Sequence, residues 1–219
     1  MLNVTRALSG LICALFLLVP MSASAADGDK LFIGAATGSG GEFEGDFDTD
    51  VPFGILDFNI DDDMETTWGG FLHYESPVHR YFAIGGRLGF AGFNTEGRAD
   101  ENWSRNWAIN ADIAPKLRFA LSGAPVELYA TTPVGLSVLF ASEDWEDEDV
   151  EFDPGISWNL SILGGASFLF SNDIGVFAEA GWMLQNVNWD GESSDGSINI
   201  DLEGEFTQFA LNFGVVLPF

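Results

Sequence analysis

Three groups of residues have types and spacings that could do chemistry. Six charged residues, Arg87, Asp112, Lys116, Arg118, Glu127 and Glu179, stand at alternate positions within otherwise apolar segments. Charges spaced in this way share one face of an extended chain, and where that face is buried they must pair. Their chemistry is an ion-pair network, which acts as a plug or, if partners swap, as a gate. The second group is acidic. Asp46, Asp48 and Asp50 alternate as at the opening of a calcium-binding loop, and Asp144, Asp147 and Asp149 lie in an unbroken polar run around Trp145. Hard cations take such oxygens. Val51 stands where that loop wants glycine, however, and no bidentate glutamate closes it. Loosely bound Ca2+ or Mg2+ is therefore expected, with no firm metal site. The third group is thin: two histidines, His73 and His79, and the serines Ser157, Ser161 and Ser167, with no Ser-x-His or His-x-Ser anywhere. No enzyme is expected from it.

The elements that must position these residues are strands. Segments 30–37, 66–75, 81–93, 107–120, 126–141, 156–170, 175–187 and 205–219 each alternate apolar and polar or small residues. In the fourth, Trp107, Ile109, Ala111, Ile113, Leu117 and Phe119 oppose Asn110, Asp112, Lys116 and Arg118. A strand tilted by about 40° crosses an apolar layer of about 25 Å with about 10 residues, which these segments supply. The connections alternate in length. Short ones at 76–80, 121–125 and 171–173 hold turn residues, and long ones fall at 38–65, 94–106, 142–155 and 188–204. An all-β, eight-stranded, antiparallel up-and-down barrel follows, with apolar side chains outward and the charged set in its lumen. Soluble β-sandwiches and lipocalin-type barrels fit poorly, since either would expose one of the two faces wrongly.

Charge and hydropathy agree with that division. The formal net charge is −26, while mean hydropathy is slightly positive at +0.14. Both hold at once only if acid and grease occupy different zones. Of the 34 acidic residues, 27 lie in the four long connections when the last is counted up to Glu205, so the acid is expected at one rim. Nucleic acid is excluded as a partner by the sign of the charge. Residues 1–25 carry Arg6, an apolar run and a small-residue ending at Ala25, the pattern of a signal peptide. The only cysteine, Cys13, lies within it, so the mature barrel domain, expected at 26–219, has no disulfide.

At the other end, Phe209, Leu211, Phe213, Val215, Leu217 and Phe219 take every second place. This ending resembles the C-terminal signature of bacterial outer-membrane β-barrels, and the whole mature chain resembles their small eight-stranded group, the OmpA membrane domain and OmpX. The resemblance implies that Phe213, Val215, Leu217 and Phe219 serve as an assembly signal read by the barrel-assembly machinery. It also implies outer-membrane lipid and lipopolysaccharide as surroundings, a monomer, and a location in the bacterial outer membrane. Three roles remain open: a largely closed barrel with a structural or surface-interaction role through acidic extracellular loops, a narrow gated channel for ions or small solutes, and a surface adhesin. Within the lumen, a turn that places Phe119 opposite Val126 would set Arg118 against Glu127, and Arg87 would meet Glu179 together with Lys116.

Overall fold

The computed structural model describes residues 28–51, 54–94, 106–141, 150–170, 174–193 and 198–219. Residues 1–25, expected as a signal peptide, and Asp144, Asp147 and Asp149 lie outside them. Eleven strands follow in chain order: β1 (Lys30–Val51), β2 (Gly54–Asp63), β3 (Thr67–His79), β4 (Phe82–Phe93), β5 (Asn106–Ala120), β6 (Val126–Thr131), β7 (Val134–Phe140), β8 (Val150–Phe152), β9 (Gly155–Leu169), β10 (Gly175–Ser193) and β11 (Asn199–Pro218). Antiparallel pairing runs β1–β3–β4–β5, then through β6 and β7 to β9, β10 and β11. The ring closes as β11 pairs with β1, from Lys30↔Pro218 to Asp50↔Asn199.

The wall has eight strands because β6 and β7 are one strand interrupted at Thr132 and Pro133. Register is unchanged across the break: Lys116↔Thr131 on one side and Ile113↔Val134 on the other. Proline cannot donate to a ladder. Its neighbours compensate, with Thr132 N–H donating to the Pro115 carbonyl at 3.1 Å and Ser161 N–H to the Pro133 carbonyl at 2.8 Å. Outside the wall, Leu72, Leu88, Ile113, Leu117, Leu128, Leu136, Ile162 and Phe213 are exposed. That is an apolar belt no aqueous barrel would carry.

Two of the long connections are not loops. β1 continues to Val51 and pairs with β2 as a hairpin, and β10 and β11 run on to Ser193 and from Asn199. The polarity of the wall inverts along them. On β11 the outward row passes from Phe213 and Leu211 to Glu205, Glu203 and Asp201, all exposed. The inward row passes from Asn212 and Gln208 to Phe206 and Leu202, all buried. On β1 a bulge between Ser39 and Glu42 makes the matching change of phase. Gly40 and Gly41 take φ of 60° and 122° there, a region that L side chains avoid. Beyond the bulge Phe43 turns inward while Glu42, Glu44, Asp46 and Asp48 turn outward. Phe43, Met64, Phe93, Leu139, Val187, Trp189, Leu202 and Phe206 then pack inside the ring as one apolar cluster.

Candidate functional site

The lumen at the short-turn end is filled by charges. Alternation aims Lys30 on β1, His73 and Glu75 on β3, Arg87 on β4, and Asp112, Lys116 and Arg118 on β5 inward. Glu127 and Tyr129 on β6 and Glu179 on β10 complete the set. Five charges alternate in a chain. Lys30 Nζ donates to Glu127 Oε2 at 2.9 Å, Arg118 Nε lies 3.6 Å from the same oxygen, and Arg118 Nη1 lies 3.7 Å from Glu75 Oε1. Lys116 ends the chain on the second oxygen of Glu75. Lys116 is 1 % exposed and Glu75 is 0 % exposed, so neither has solvent to fall back on. Lys116 Nζ also sits over the rings of Phe32 and Tyr129, at 4.1 and 4.0 Å from their centroids. Phe32 stacks in turn on His73 and meets Phe177 edge-on.

A second group lies further along the lumen. Glu179 accepts hydrogen bonds from Tyr129 Oη and Asn212 Nδ2, each at 3.1 Å. Arg87 Nη1 approaches Glu179 Oε2 at 3.6 Å, and its guanidinium stacks 3.6 Å above the Phe71 ring. Asp112, opposite Arg87 in register, is hydrogen-bonded to the Asn159 side chain. Four cations and four carboxylates therefore share the lumen, balanced in sign as burial of ions demands.

Of the six charges expected in the lumen, all face inward, but two pairings differ from expectation. Arg118 stands opposite Tyr129, and Glu127 stands opposite Ala120. The turn lies one residue further along than expected: Leu121 N–H donates to the Val126 carbonyl at 3.0 Å, and Gly123 at φ 80° reverses the chain. Arg118 still reaches Glu127 diagonally. Lys116 joins Glu75 and not the Arg87–Glu179 pair, because β5 delivers it to the level of the end of β3. Lys30 and Glu75 were missed, though each shares parity with an inward residue, Phe32 and His73 respectively.

The other expected sites are scattered. Asp46 and Asp48 are exposed on β1, which is extended there. Carboxylates along a strand do not wrap a cation as a loop does, and among the described residues no group of three or more His, Cys, Asp or Glu is placed to hold a metal ion. Phe213 and Phe219 are exposed on or just beyond β11, Val215 lies with them on the outer face, and Leu217 is half-buried. Phe219 reaches the Tyr74 ring at 6.3 Å, across the closing seam.

No family model matches the sequence, and no curated protein matches it either. Solved structures do. The outer membrane protein OprG from Pseudomonas aeruginosa superposes with a TM-score of 0.60 at 9% identity, over 88% of this chain and 96% of that one. The chain has the fold of a small outer-membrane β-barrel. The outer membrane protein AlkL matches over 91% of this chain and 94% of its own at 15% identity, with a TM-score of 0.47. Neisserial surface protein A matches over 86% and 97% at 9% identity, with a TM-score of 0.41. At these identities the likeness is one of fold, and the apolar belt outward suits such a barrel to a bilayer.

Proposed function

We propose that this barrel is closed, and that it serves the outer membrane as a structural or surface-interaction element through its acidic, strand-built projection. The observation that carries the reading is the filled lumen. Lys116, Arg118 and Glu75 are buried at one end, Lys116 against the rings of Phe32 and Tyr129, and the apolar cluster around Trp189 and Phe206 fills the other. An ion crossing the barrel would have to separate buried pairs, at several kcal/mol each. With the short turns in the periplasm and the long hairpins outside, as is usual for this architecture, the exposed rows of Glu42, Glu44, Asp46 and Asp48 project from the cell. Ca2+ or Mg2+ held loosely by those rows would bridge them to anionic lipopolysaccharide. The barrel is non-catalytic in this reading: His73 is spent on the Phe32 stack, and His79 Nδ1 accepts from the Tyr81 N–H.

The test is single-channel recording of the refolded mature chain in a planar bilayer beside Arg87→Ala, with insertion verified by protease protection. A silent bilayer is expected from both. Discrete conductance steps that change in the variant would overturn the reading in favour of the gated channel. Binding of cells or polysaccharide that is lost when the β1–β2 hairpin is shortened would assign the adhesin role.

A further inference from the structure

Between the charge chain and the apolar cluster lies a cavity of about 60 Å3, room for about four water molecules at roughly 10–15 Å3 each. It exists because one side of the lumen is nearly bare. Ala36 and Gly38 of β1 and Gly89 and Ala91 of β4 line it, while Asn110, Asp112, Asn159, Ser161 and Asn212 line it from the facing strands. Arg87 also lines it.

Two opposite charges in this cavity stay apart although register makes them neighbours. Arg87 and Asp112 are cross-strand partners, yet the guanidinium turns to Phe71 and Glu179, and Asp112 turns to Asn159. Glu179 has its oxygens engaged by Tyr129 and Asn212. Its 3.6 Å approach to Arg87 is longer than a hydrogen bond. Arg87 thus brings a fork of five N–H donors to the cavity wall with no short acceptor among the described residues, and Asp112, which also lines the cavity, has one oxygen buried beside Gly135 without a hydrogen-bond partner. Burying such groups without hydrogen bonds is costly.

We propose that this cavity is a binding site for a small neutral dipolar solute of the carboxamide class, its carbonyl oxygen on Arg87 and its N–H toward Asp112. A fixed pair of opposite charges favours a dipole. It disfavours an ion of either sign, because an anion meets Asp112 and a cation meets Arg87. The volume limits the solute to about four or five non-hydrogen atoms. The site goes beyond the closed-barrel reading and does not depend on it, since binding requires entry from one side only.

The probe is acetamide, titrated into the refolded mature chain in lipid nanodiscs while the Arg87 Nε–H resonance is followed by NMR, with acetate and guanidinium as charged isosteres. A saturable shift with acetamide alone is expected. Asp112→Asn, which keeps volume and removes the charge, weakens it about tenfold, the scale of a hydrogen bond to a charged group. Gly89→Leu abolishes it while leaving the fold intact, because a Cβ at Gly89 meets only ordinary contacts, 3.5 Å from the Gly70 oxygen and Phe71 Cβ. A shift that does not saturate, that the charged isosteres reproduce, or that persists in Gly89→Leu overturns the proposal and leaves a hydration cavity. The conductance recordings stand apart from all three outcomes.

Discussion

Glu75 carries more of the lumen than its place in the sequence suggests. It joins Lys116 to Arg118, and it is fully buried. Removing it strands Lys116 in a low-dielectric space and leaves Arg118 to its other carboxylate, Glu127, a different matter from removing a surface pair. Glu75→Ala is expected to lower stability by about 3–5 kcal/mol, read as a shift in urea-dependent refolding into lipid vesicles. Combining it with Lys116→Met should recover part of the loss, because one uncompensated charge goes with its partner. A single-variant loss below about 1 kcal/mol would mean that water replaces the carboxylate. Sequence alternation made the inward facing of Arg87, Asp112, Lys116, Arg118, Glu127 and Glu179 legible, since parity is local. Partner choice was legible in part: Arg118 does meet Glu127 and Arg87 does meet Glu179, each at 3.6 Å. Strand stagger hid the rest, since the turn lies one residue further along, which sets Arg118 opposite Tyr129 in register, and Lys116 pairs with Glu75.

At the level of elements, the long connections were misread for an instructive reason. Residues 42–50 alternate as strictly as any wall strand, acid against Phe43, Gly45 and Phe47. In the lipid-facing wall the apolar face is outward, whereas here Phe43 faces inward, so the same rhythm reads as an acidic loop. The bulge that changes phase on β1 is set by its glycines. A Cβ on Gly41 would stand 1.8 Å from the Thr207 carbonyl oxygen, and its φ of 122° is closed to other residues. Gly41→Ala should therefore displace β1 from β11 beyond the bulge while sparing the pairs from Lys30↔Pro218 to Gly38↔Ala210. Hydrogen exchange of the Phe43 and Leu202 amides, faster by tenfold or more with the Ile33 amide unchanged, would register it. Equal protection throughout would show that the bulge tolerates a side chain. The inner apolar cluster is the complementary test. Leu202→Ala deletes a residue with 0 % exposure and should cost about 2–5 kcal/mol, lost from the projecting hairpins before the lipid-facing wall.

Across the whole molecule the acid forms rows that face their own kind. Glu44 stands opposite Glu205, Asp46 opposite Glu203 and Asp48 opposite Asp201, and Asp201 also faces Asp190 on its other side. Like charges directly across a ladder destabilise it by about 0.2–1 kcal/mol a pair. The projection persists because the same strands carry ladder hydrogen bonds and bury Phe43, Trp189, Leu202 and Phe206 on the opposite face. These opposing effects differ in their response to salt. Apolar burial is little weakened by sodium chloride, while repulsion between exposed carboxylates fades as the screening length falls from about 30 Å at 0.01 M to about 3 Å at 1 M. The lumen pairs, buried from solvent, are screened far less. Raising sodium chloride from 10 mM to 1 M should therefore slow hydrogen exchange in the upper halves of β1 and β11 by several-fold while leaving the Lys116 and Glu75 amides at their low-salt rates. Slowing in both zones would point to a general effect of salt on the bilayer or the fold. Faster exchange in the projection would mean that attraction, and not repulsion, links its rows, and the surface facing the cell's surroundings would have to be redrawn with bound cations as part of its structure.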